Sequence, residues 1–341
     1  MKLNRRELLG ILGAATQLKA APLNPLRNIG GAPAGFPVRT RAARTANQTF
    51  DFVEHCHNLG LGVVETRLPQ QGTPADFRRK IDSYGMRVIL DVGFPRDEAG
   101  IAAFDANVKA AKECGAISLH AAMTGRRYED FTTFEAFKQN FEKNKKSIEW
   151  AEPILRKHKL ALGIENHKGW RSTEQAAWLK HVSSEWVGVH FDYGNNLSLC
   201  EQPSETLKNL LPFTIACHLK DMAVQQYEDG FLLSEVPLGD GLLDLKGMTA
   251  QMRAKNPDMP LSLEMITRDP LKIPIFTDGY WATFDDPFSP ISGHEMARLF
   301  NLLRKNPPRK PLPRTANLSP EEQLKLEDEC IANSIAYARK L

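Results

Sequence analysis

The feature that most constrains the fold is an alternation of short apolar runs with longer amphipathic patterns. Several runs are apolar enough to be buried on both faces, which is typical of strands in a parallel sheet. We interpret eight of them as strands, over residues 36–39, 62–66, 86–92, 116–121, 160–165, 187–192, 214–219 and 260–264. The patterns between them predict helices, for example over residues 49–59, 101–114, 134–158 and 242–255.

Eight strands separated by helices predict an α/β fold, a (β/α)8 TIM barrel of about 250 residues with roughly 31 residues per unit. We place this barrel at residues 35–305. A doubly wound open sheet is the alternative, but no glycine-rich phosphate fingerprint follows the first strand. Gly30, Gly31 and Gly35 do not open a helix, so we assign them no cofactor role.

The N-terminal residues 1–25 resemble a twin-arginine export signal, which predicts a periplasmic protein. Arg5 and Arg6 precede a short apolar run, and small residues follow near Ala20. The alternative is a basic cytoplasmic N-terminus. The apolar run is far shorter than the ~20 residues that span a bilayer, so we expect no membrane span.

The C-terminal residues 306–341 predict a proline-rich strap followed by a helix. Ser319 at the N-cap, Pro320 at the first helical position and Glu322 two residues later make a capping box. Leu324, Ile331 and Ile335 form an apolar stripe. We interpret this end of the chain as a structural clasp.

The composition argues against several classes of partner and site. Its 44 basic and 41 acidic residues give a net charge of only +3, so nucleic acid is not an expected partner. The five cysteines are odd in number and contain no CxxC pair, which argues against a disulfide framework and a cysteine-based zinc site.

Ionisable residues are concentrated at the ends of the last four predicted strands, where a TIM barrel carries its chemistry. They are Glu165, Asp192, His218 and Glu264. One carboxylate after a strand is usually a helix cap, but three carboxylates and an imidazole at one barrel mouth would repel one another without a cation. This donor set suits Mn²⁺, Mg²⁺ or Co²⁺, with Zn²⁺ as a further candidate, and leaves positions open for water or substrate. We therefore predict one divalent metal in a catalytic site.

These four residues resemble the metal-binding quartet of the xylose-isomerase-like TIM barrel superfamily (AP endonuclease family 2 type), which includes sugar phosphate isomerases/epimerases, inosose dehydratases and endonuclease IV-type nucleases. The sequence PLGDG at residues 237–241, within a long segment after the seventh strand, also resembles the PLGxG loop of this superfamily. The nuclease branch carries histidines where this chain has Asn195 and Phe231, so DNA repair is not expected. The 3-epimerases of free ketohexoses carry a histidine and an arginine where Asn195 and Val224 stand here, whereas HLKD at residues 218–221 resembles inosose dehydratases.

The resemblance implies proton abstraction next to a carbonyl, with the metal as Lewis acid and an enediolate as intermediate. Glu165 and Glu264 would act as base and acid. We therefore predict a sugar isomerase/epimerase. The alternative is a lyase or dehydratase of a keto-sugar, keto-glycoside or inosose, and a third hypothesis is a non-catalytic carbohydrate-binding barrel.

Further residues near the strand ends are candidate substrate contacts. Lys220 lies on the strand face of His218 and would donate to a substrate oxygen or form a salt bridge with a neighbouring carboxylate. His167 is a candidate acid/base or substrate contact, with a loop residue bonded to the backbone as the alternative. Glu65 and His120 are expected to point at substrate hydroxyls.

Three further predictions concern the surroundings of the site. His190 is expected to be a hydrogen-bonded core residue rather than a ligand. Trp170 is a candidate cover for the apolar face of a sugar ring, with helix packing as the competing interpretation. Residues 273–290 have no clear period and are expected to form a lid or an oligomer contact, and the resemblance implies a homo-oligomer.

Overall fold

A closed barrel of parallel strands forms the centre of the protein. The computed structural model describes residues 24–123, 125–284 and 288–341. Its strands are β1 (Ile29–Gly31), β2 (Val63–Arg67), β3 (Arg87–Asp91), β4 (Ser118–Ala121), β5 (Leu162–Glu165), β6 (Val187–Asp192), β7 (Thr214–Leu219), β8 (Asp221–Tyr227), β9 (Gly230–Val236), β10 (Leu261–Leu263) and β11 (Leu271–Ile273). The barrel order is β1-β10-β7-β6-β5-β4-β3-β2, with every neighbouring pair parallel. The predicted TIM barrel is confirmed.

Helices connect the barrel strands and extend beyond them. They are α1 (Pro37–Thr45), α2 (Phe52–Asn58), α3 (Pro74–Ser83), α4 (Ile101–Glu113), α5 (Arg127–Asp130), α6 (Phe134–His158), α7 (Ser172–Val182), α8 (Pro203–Leu210), α9 (Leu245–Lys255), α10 (Asp278–Trp281), α11 (Gly293–Lys305) and α12 (Pro320–Ala338). The four helices predicted from their apolar period are present as α2, α4, α6 and α9, with ends that differ by up to three residues.

The first strand differs from the prediction. Residues 36–39 are not a strand, because Pro37 provides the fixed φ of a first helical position and α1 begins there. The first strand is instead β1, where a Cβ on Gly30 would lie 2.9 Å from Val63 Cβ and one on Gly31 would lie 2.7 Å from Cys56 Sγ. The barrel therefore starts before residue 35, in a strand whose close packing excludes the side chains that would have marked it.

The long segment after β7 forms a small second sheet. Strands β8 and β9 make an antiparallel hairpin, and β11 pairs antiparallel with β9. The sequence showed only that this segment exceeds the usual length of a barrel unit. Because β8 begins two residues after β7 ends, the hairpin rises directly from the strand that carries His218.

A small apolar cluster inside the barrel supports the candidate site. It consists of Val63, Ile89 and Ala216, all fully buried. Each precedes an ionisable residue by two positions on its strand, and side chains two apart share a strand face. The polar residues at the strand ends therefore lie above an apolar plug.

The C-terminal helix α12 clasps the barrel as predicted. Ser319 and Glu322 form the capping box, and the stripe residues Ile331 and Ile335 are buried. The carboxylate of Glu327 is fully buried and accepts hydrogen bonds from the backbone N–H groups of residues 38 and 39, at 2.7 and 2.8 Å. It thereby caps the N-terminus of α1.

The export prediction concerns residues 1–25, which lie almost entirely outside the described residues, and it stays a prediction. Among the helices that the structure describes, none is long and apolar enough to cross a lipid bilayer. All five cysteines are buried as free thiols.

Candidate metal centre

Four predicted ligands converge at the C-terminal end of the barrel. Glu165 and Asp192 end β5 and β6, His218 lies near the end of β7, and Glu264 follows β10. One ligand atom from each side chain lies within 4.8 Å of the corresponding atoms of the other three. Neighbouring parallel strands end at one rim, and each of these residues is the last inward-facing position of its strand, so the side chains meet.

Two side-chain atoms of this quartet have no hydrogen-bond partner among the described residues and are available to bind a divalent metal. In the described part of the chain, Asp192 Oδ1 and His218 Nδ1 are buried without a hydrogen-bond partner. His218 Nδ1 lies 3.7 Å from Glu264 Oε2 and 4.0 Å from Asp192 Oδ2. Three carboxylates and one imidazole around a common point are donors that Mn²⁺, Mg²⁺ and Zn²⁺ accept. The residues present therefore suit such an ion.

Lys220 lies against the same carboxylates. Its Nζ is 2.6 Å from Asp192 Oδ2 and 2.7 Å from Glu264 Oε2. Burial opposes the ionised form of Glu264, but Lys220 and His218 together lower its pKa to about 2. Burial raises the pKa of Asp192 well above its ordinary value, against the effect of Lys220. Of the two roles considered for Lys220, the structure shows the salt bridge.

A second group of polar side chains lies beside the quartet. Glu65 Oε1 is 2.7 Å from His218 Nε2, and His120 places Nε2 3.3 Å from Glu165 Oε2 and Nδ1 2.9 Å from Asp91 Oδ1. Burial opposes protonation of His218, but Glu65 and Glu264 raise its pKa to about 10. Glu65 and His120 thus contact the side chains of predicted ligands directly, and their contact with substrate hydroxyls stays a prediction.

His190 occupies the predicted core position without the predicted hydrogen bond. It is fully buried, and neither ring nitrogen has a hydrogen-bond partner among the described residues. Its ring centroid lies 4.2 Å from that of His218 and 4.5 Å from that of His120. Burial holds the pKa of His190 well below its ordinary value, so this ring is neutral beneath the site.

Asn195 connects the quartet to a second buried lysine. Its Nδ2 donates to Glu165 Oε1 at 3.0 Å and to Asp192 Oδ2 at 2.5 Å, and its Oδ1 accepts from Lys168 Nζ at 2.5 Å. Sequence analysis considered Asn195 only as the place of a missing histidine and did not identify Lys168 or Asp91. Lys168 follows β5, Asn195 follows β6 and Asp91 ends β3, and these positions at strand ends are the signal that could have identified them.

His167 lies next to these residues in the loop after β5. Its Nδ1 is 3.1 Å from the carbonyl oxygen of Gly125. Burial, the largest influence, lowers the pKa of His167, while Glu165 raises it. The contact matches the alternative of a loop residue bonded to the backbone, and a role in acid/base chemistry stays a prediction.

Trp170 does not cover the site, which corrects its assignment as a substrate contact. Its side chain is 3% exposed, and its ring centroid lies 4.5 Å from that of Phe141 and 5.7 Å from that of Trp178. The residue packs α6 and α7 together in the shell around the barrel. The competing interpretation, helix packing, is the one the structure shows.

Part of the segment after β10 is packed against the barrel, whereas Phe276 within it is 62% exposed. Tyr280 Oη donates to the carbonyl oxygen of Ser198 at 2.7 Å, and the fully buried Arg127 pairs with Glu174 at 3.0 Å and donates to the carbonyl oxygen of Thr283. Residues 285–287 lie outside the description. A lid or an oligomer contact here remains a prediction.

Asp221 explains the PLGDG sequence. Its fully buried carboxylate accepts four backbone hydrogen bonds of 2.9 to 3.1 Å, from Met222, Gly239, Gly241 and Leu243. Gly239 has a φ of 90°, and a Cβ on Gly241 would lie 2.2 Å from Asp221 Oδ1. Both glycines are therefore required for the loop to wrap the carboxylate, and this turn fixes the chain beside Lys220.

Comparisons with known proteins agree with this fold. The family model described as "Xylose isomerase-like TIM barrel" matches residues 43–281. The 3-oxo-isoapionate decarboxylase of Pectobacterium atrosepticum is 27% identical over 103 residues, which cover 30% of this chain and 38% of that protein. The chain thus matches well under half the length of this curated relative.

Two solved structures show the same fold at low identity. A D-psicose 3-epimerase solved in the presence of D-fructose has a TM-score of 0.53 at 14% identity, covering 82% of this chain and 97% of its own. A xylose isomerase-like TIM barrel protein from Mycobacterium smegmatis, solved in complex with magnesium, has a TM-score of 0.51 at 15% identity, covering 81% and 97%.

Proposed function

Because the chain belongs to the xylose isomerase-like TIM barrel family, we propose that it is a divalent-metal-dependent isomerase or epimerase of a carbohydrate. The observation that carries this proposal is the convergence of Glu165, Asp192, His218 and Glu264 within 4.8 Å at the barrel mouth. We propose Mn²⁺ as the metal, because carboxylates with one imidazole suit it well. When bound, it would supply Lewis-acid polarisation of a substrate carbonyl.

The two glutamates have the exposure that acid/base residues need. Glu165 and Glu264 are 9% and 6% exposed, whereas Asp192 and His218 are 0% and 2% exposed. The glutamates therefore border the open side of the site, where a substrate would lie. Their pKa values are lowered, in opposition to burial, which favours the ionised form that the base needs, and the glutamate that acts as acid must take up a proton before the reaction.

The proposed reaction begins with the transfer of one C–H proton. One glutamate takes the proton from a hydroxyl-bearing carbon next to the carbonyl, the C–H electron pair forms a C=C bond, and the carbonyl π pair moves onto its oxygen to give an enediolate. For an epimer, the other glutamate, which must hold a proton for this step, delivers it to the opposite face of the same carbon. For an isomer, the proton returns to the former carbonyl carbon, and the hydroxyl proton of the first carbon passes to the former carbonyl oxygen, so that atoms and charge balance in both cases.

Neighbouring residues hold the acid/base pair in place. His120 fixes Glu165 from one side and Asn195 from the other, while Lys220 bonds Glu264. Asp91 in turn fixes the ring of His120. Residues locked in this way keep a reacting carboxylate within the narrow geometry that proton transfer requires.

A lyase reaction is the second candidate, and the sequence likeness to a decarboxylase supports it. An oxo acid with its carbonyl β to the carboxylate could break a C–C bond in place of the C–H bond, so that CO2 leaves and its electron pair enters the carbonyl. Loss of a β-hydroxyl from the enediolate would give dehydration of a keto-sugar, keto-glycoside or inosose. Both routes need the same polarised carbonyl.

Metal content tests the proposed site. We expect purified wild-type protein to bind one Mn²⁺, and Glu165→Ala and His218→Ala to lose it. The exposed residues Glu149 and His181 supply matched control variants, Glu149→Ala and His181→Ala, which should keep the metal. Full Mn²⁺ stoichiometry in both site variants would show that the site is wrong.

Hydrogen exchange tests the chemistry. The Mn²⁺-loaded protein is incubated in D2O with ketohexoses, 3-keto-glycosides and inososes, and products are analysed by NMR and mass spectrometry. Deuterium at an α-carbon with unchanged carbon skeleton supports an isomerase or epimerase, whereas loss of water or CO2 supports the lyase. Binding of a sugar with no exchange and no bond cleavage across the panel would favour the carbohydrate-binding barrel.

We also propose export by the twin-arginine route, on the strength of the leader sequence alone. N-terminal sequencing of protein recovered from the periplasm tests it. An intact Met1 there would contradict cleavage of the leader.

A further inference from the structure

The buried lysine behind Asn195 has a role that the proposed reaction does not use. Lys168 is 2% exposed and lies three residues beyond Glu165, in the loop at the open end of β5. Its ammonium donates to Asn195 Oδ1, and the amide of Asn195 donates to Glu165 and Asp192. The ammonium is therefore separated from the metal quartet by one side chain.

Three cationic side chains lie in this part of the barrel mouth, and two of them have carboxylate partners. Lys220 bonds Asp192 and Glu264, and Arg268 makes two bonds to Glu235, at 2.6 and 3.1 Å. Within residues 24–123, 125–284 and 288–341, no carboxylate oxygen lies within 4.0 Å of the Lys168 ammonium.

An ammonium buried in this way is costly without an anionic partner. Burial, and then repulsion from Lys220, lowers the pKa of Lys168 to about 8, so the group is still mainly protonated at neutral pH. Asn195 supplies one neutral acceptor and leaves two N–H donors of the ammonium for other groups. The Lys168 ammonium thus places a positive charge and two available N–H donors beside the reacting centre.

We propose that Lys168 binds a carboxylate group of the substrate, so that the enzyme acts on a sugar acid rather than a neutral sugar. This inference rests on the proposed function for the position of the reacting carbonyl, and it names the substrate class of that site. A single unpaired ammonium matches a carboxylate with one negative charge. A phosphate ester carries about −1.5 to −2 and usually engages several cations, whereas Lys220 and Arg268 are already paired.

Neighbouring acidic groups do not oppose this assignment. Glu235 and Asp192 are the carboxylates that act on Lys168 through space, and each is bonded to a cation, Arg268 and Lys220 respectively. Both acidic groups are thus neutralised by other cations, and the Lys168 ammonium keeps its remaining donors for a substrate carboxylate.

A purely structural role for Lys168 makes a different prediction. If the ammonium only orients Asn195, its loss would disturb Glu165 and Asp192 and weaken metal binding, with equal effects on charged and neutral ligands. If it binds the substrate, its loss would affect acidic ligands alone. Metal affinity and ligand charge preference thus separate the two roles.

The test uses the full-length protein and titration calorimetry with D-gluconate and the uncharged polyol D-glucitol as probes, with and without Mn²⁺. We expect wild type to prefer gluconate, and Lys168→Met to bind gluconate about 10- to 100-fold more weakly while glucitol and Mn²⁺ affinities stay unchanged. Lys168→Arg should retain part of the preference, and Lys180→Met, at an exposed lysine, should retain all of it. Should Lys168→Met not fold, Lys168→Gln replaces it.

Several results would overturn the proposal. They are an unchanged gluconate-to-glucitol ratio in the variant, loss of Mn²⁺ together with equal loss of both ligands, and no gluconate binding at millimolar concentration. Tighter, Lys168-dependent binding of D-fructose 6-phosphate would replace the carboxylate by a phosphate. Because binding needs no turnover, a Lys168-dependent preference would stand even if no α-proton exchanged, and failure of the reaction is thus distinguished from failure of this inference.

Discussion

Asp192 and Asp221 are two fully buried aspartates near the ends of neighbouring strands, and their surroundings differ sharply. Asp221 receives four backbone N–H bonds, two on each oxygen. Among the residues that the structure describes, Asp192 has no hydrogen-bond partner on Oδ1, while Lys220 and Asn195 share Oδ2. A buried carboxylate whose lone pairs are filled by the backbone stabilises the fold, whereas one with a free oxygen is ready for a ligand.

The largest expected difference between the two aspartates is in the effect of Asp192→Ala on metal binding. We expect Asp192→Ala to abolish Mn²⁺ binding and to slow α-proton exchange by at least about 10⁴-fold, because the Lewis acid contributes several kcal/mol to the barrier. Thermal stability should fall less than in Asp221→Ala, since the Lys220 ammonium keeps Glu264 as a carboxylate partner when Asp192 is removed. Metal analysis and a melting curve measure both, and a large drop in melting temperature would place Asp192 with Asp221.

Asp221→Ala should have the opposite pattern. Four buried N–H groups lose their acceptor, so we expect a loss of about 3–5 kcal/mol in the free energy of unfolding. At low temperature the folded fraction should still bind Mn²⁺. Urea denaturation gives the stability, and the exposed Asp229→Ala is the control. A stable Asp221→Ala variant that has lost its metal would contradict the assignment of Asp221 to the fold and Asp192 to the metal.

Glu327 offers a third buried carboxylate, far along the chain, with two backbone donors in place of four. We expect Glu327→Ala to cost about 2 kcal/mol, since α1 loses its cap. Glu329→Ala, two residues on and exposed, should cost almost nothing. If the cost equals that of Asp221→Ala, the number of backbone donors does not set the size of the effect.

Lys168 extends the comparison from buried carboxylates to a buried cation. The effect of its titration on ligand affinity should be the smallest of the four. With a pKa lowered to about 8, first by burial, it is charged below that pH and neutral above it. The gluconate-to-glucitol affinity ratio should therefore be constant below pH 7 and fall up to about tenfold per unit above pH 8. The charged groups that act on it are Lys220, Glu235, Asp192 and Arg268. A ratio that rises with pH, or the same fall in Lys168→Met, would contradict this.

The sequence was sufficient for most of the barrel because seven of its strands are apolar runs bounded by helices. It failed at β1, where Gly30 and Gly31 replace the β-branched residues that mark a strand, and at the β8–β9 hairpin, which lies outside the regular barrel unit. Both failures come from tertiary packing, which a local pattern does not contain.

The candidate site was predictable in part for a related reason. Strand ends identify the quartet of Glu165, Asp192, His218 and Glu264, since the barrel topology itself brings them together. Lys168 lies in a loop and Asn195 begins a short 3-10 helix after β6, and their contacts depend on how these segments fold back over the rim. Trp170 was misplaced because an aromatic residue after a strand serves a helix interface as readily as a sugar.

The clasp formed by α12 has a consequence for the order in which the protein can be completed during synthesis. Ser334 accepts the backbone N–H of Leu238, and the ring of Tyr337 packs against Gly239, in the loop that surrounds Asp221. Ser334 follows Leu238 in the chain by 96 residues. The turn beside the metal ligands therefore cannot acquire its full set of contacts until α12 has been synthesised and has docked on the barrel.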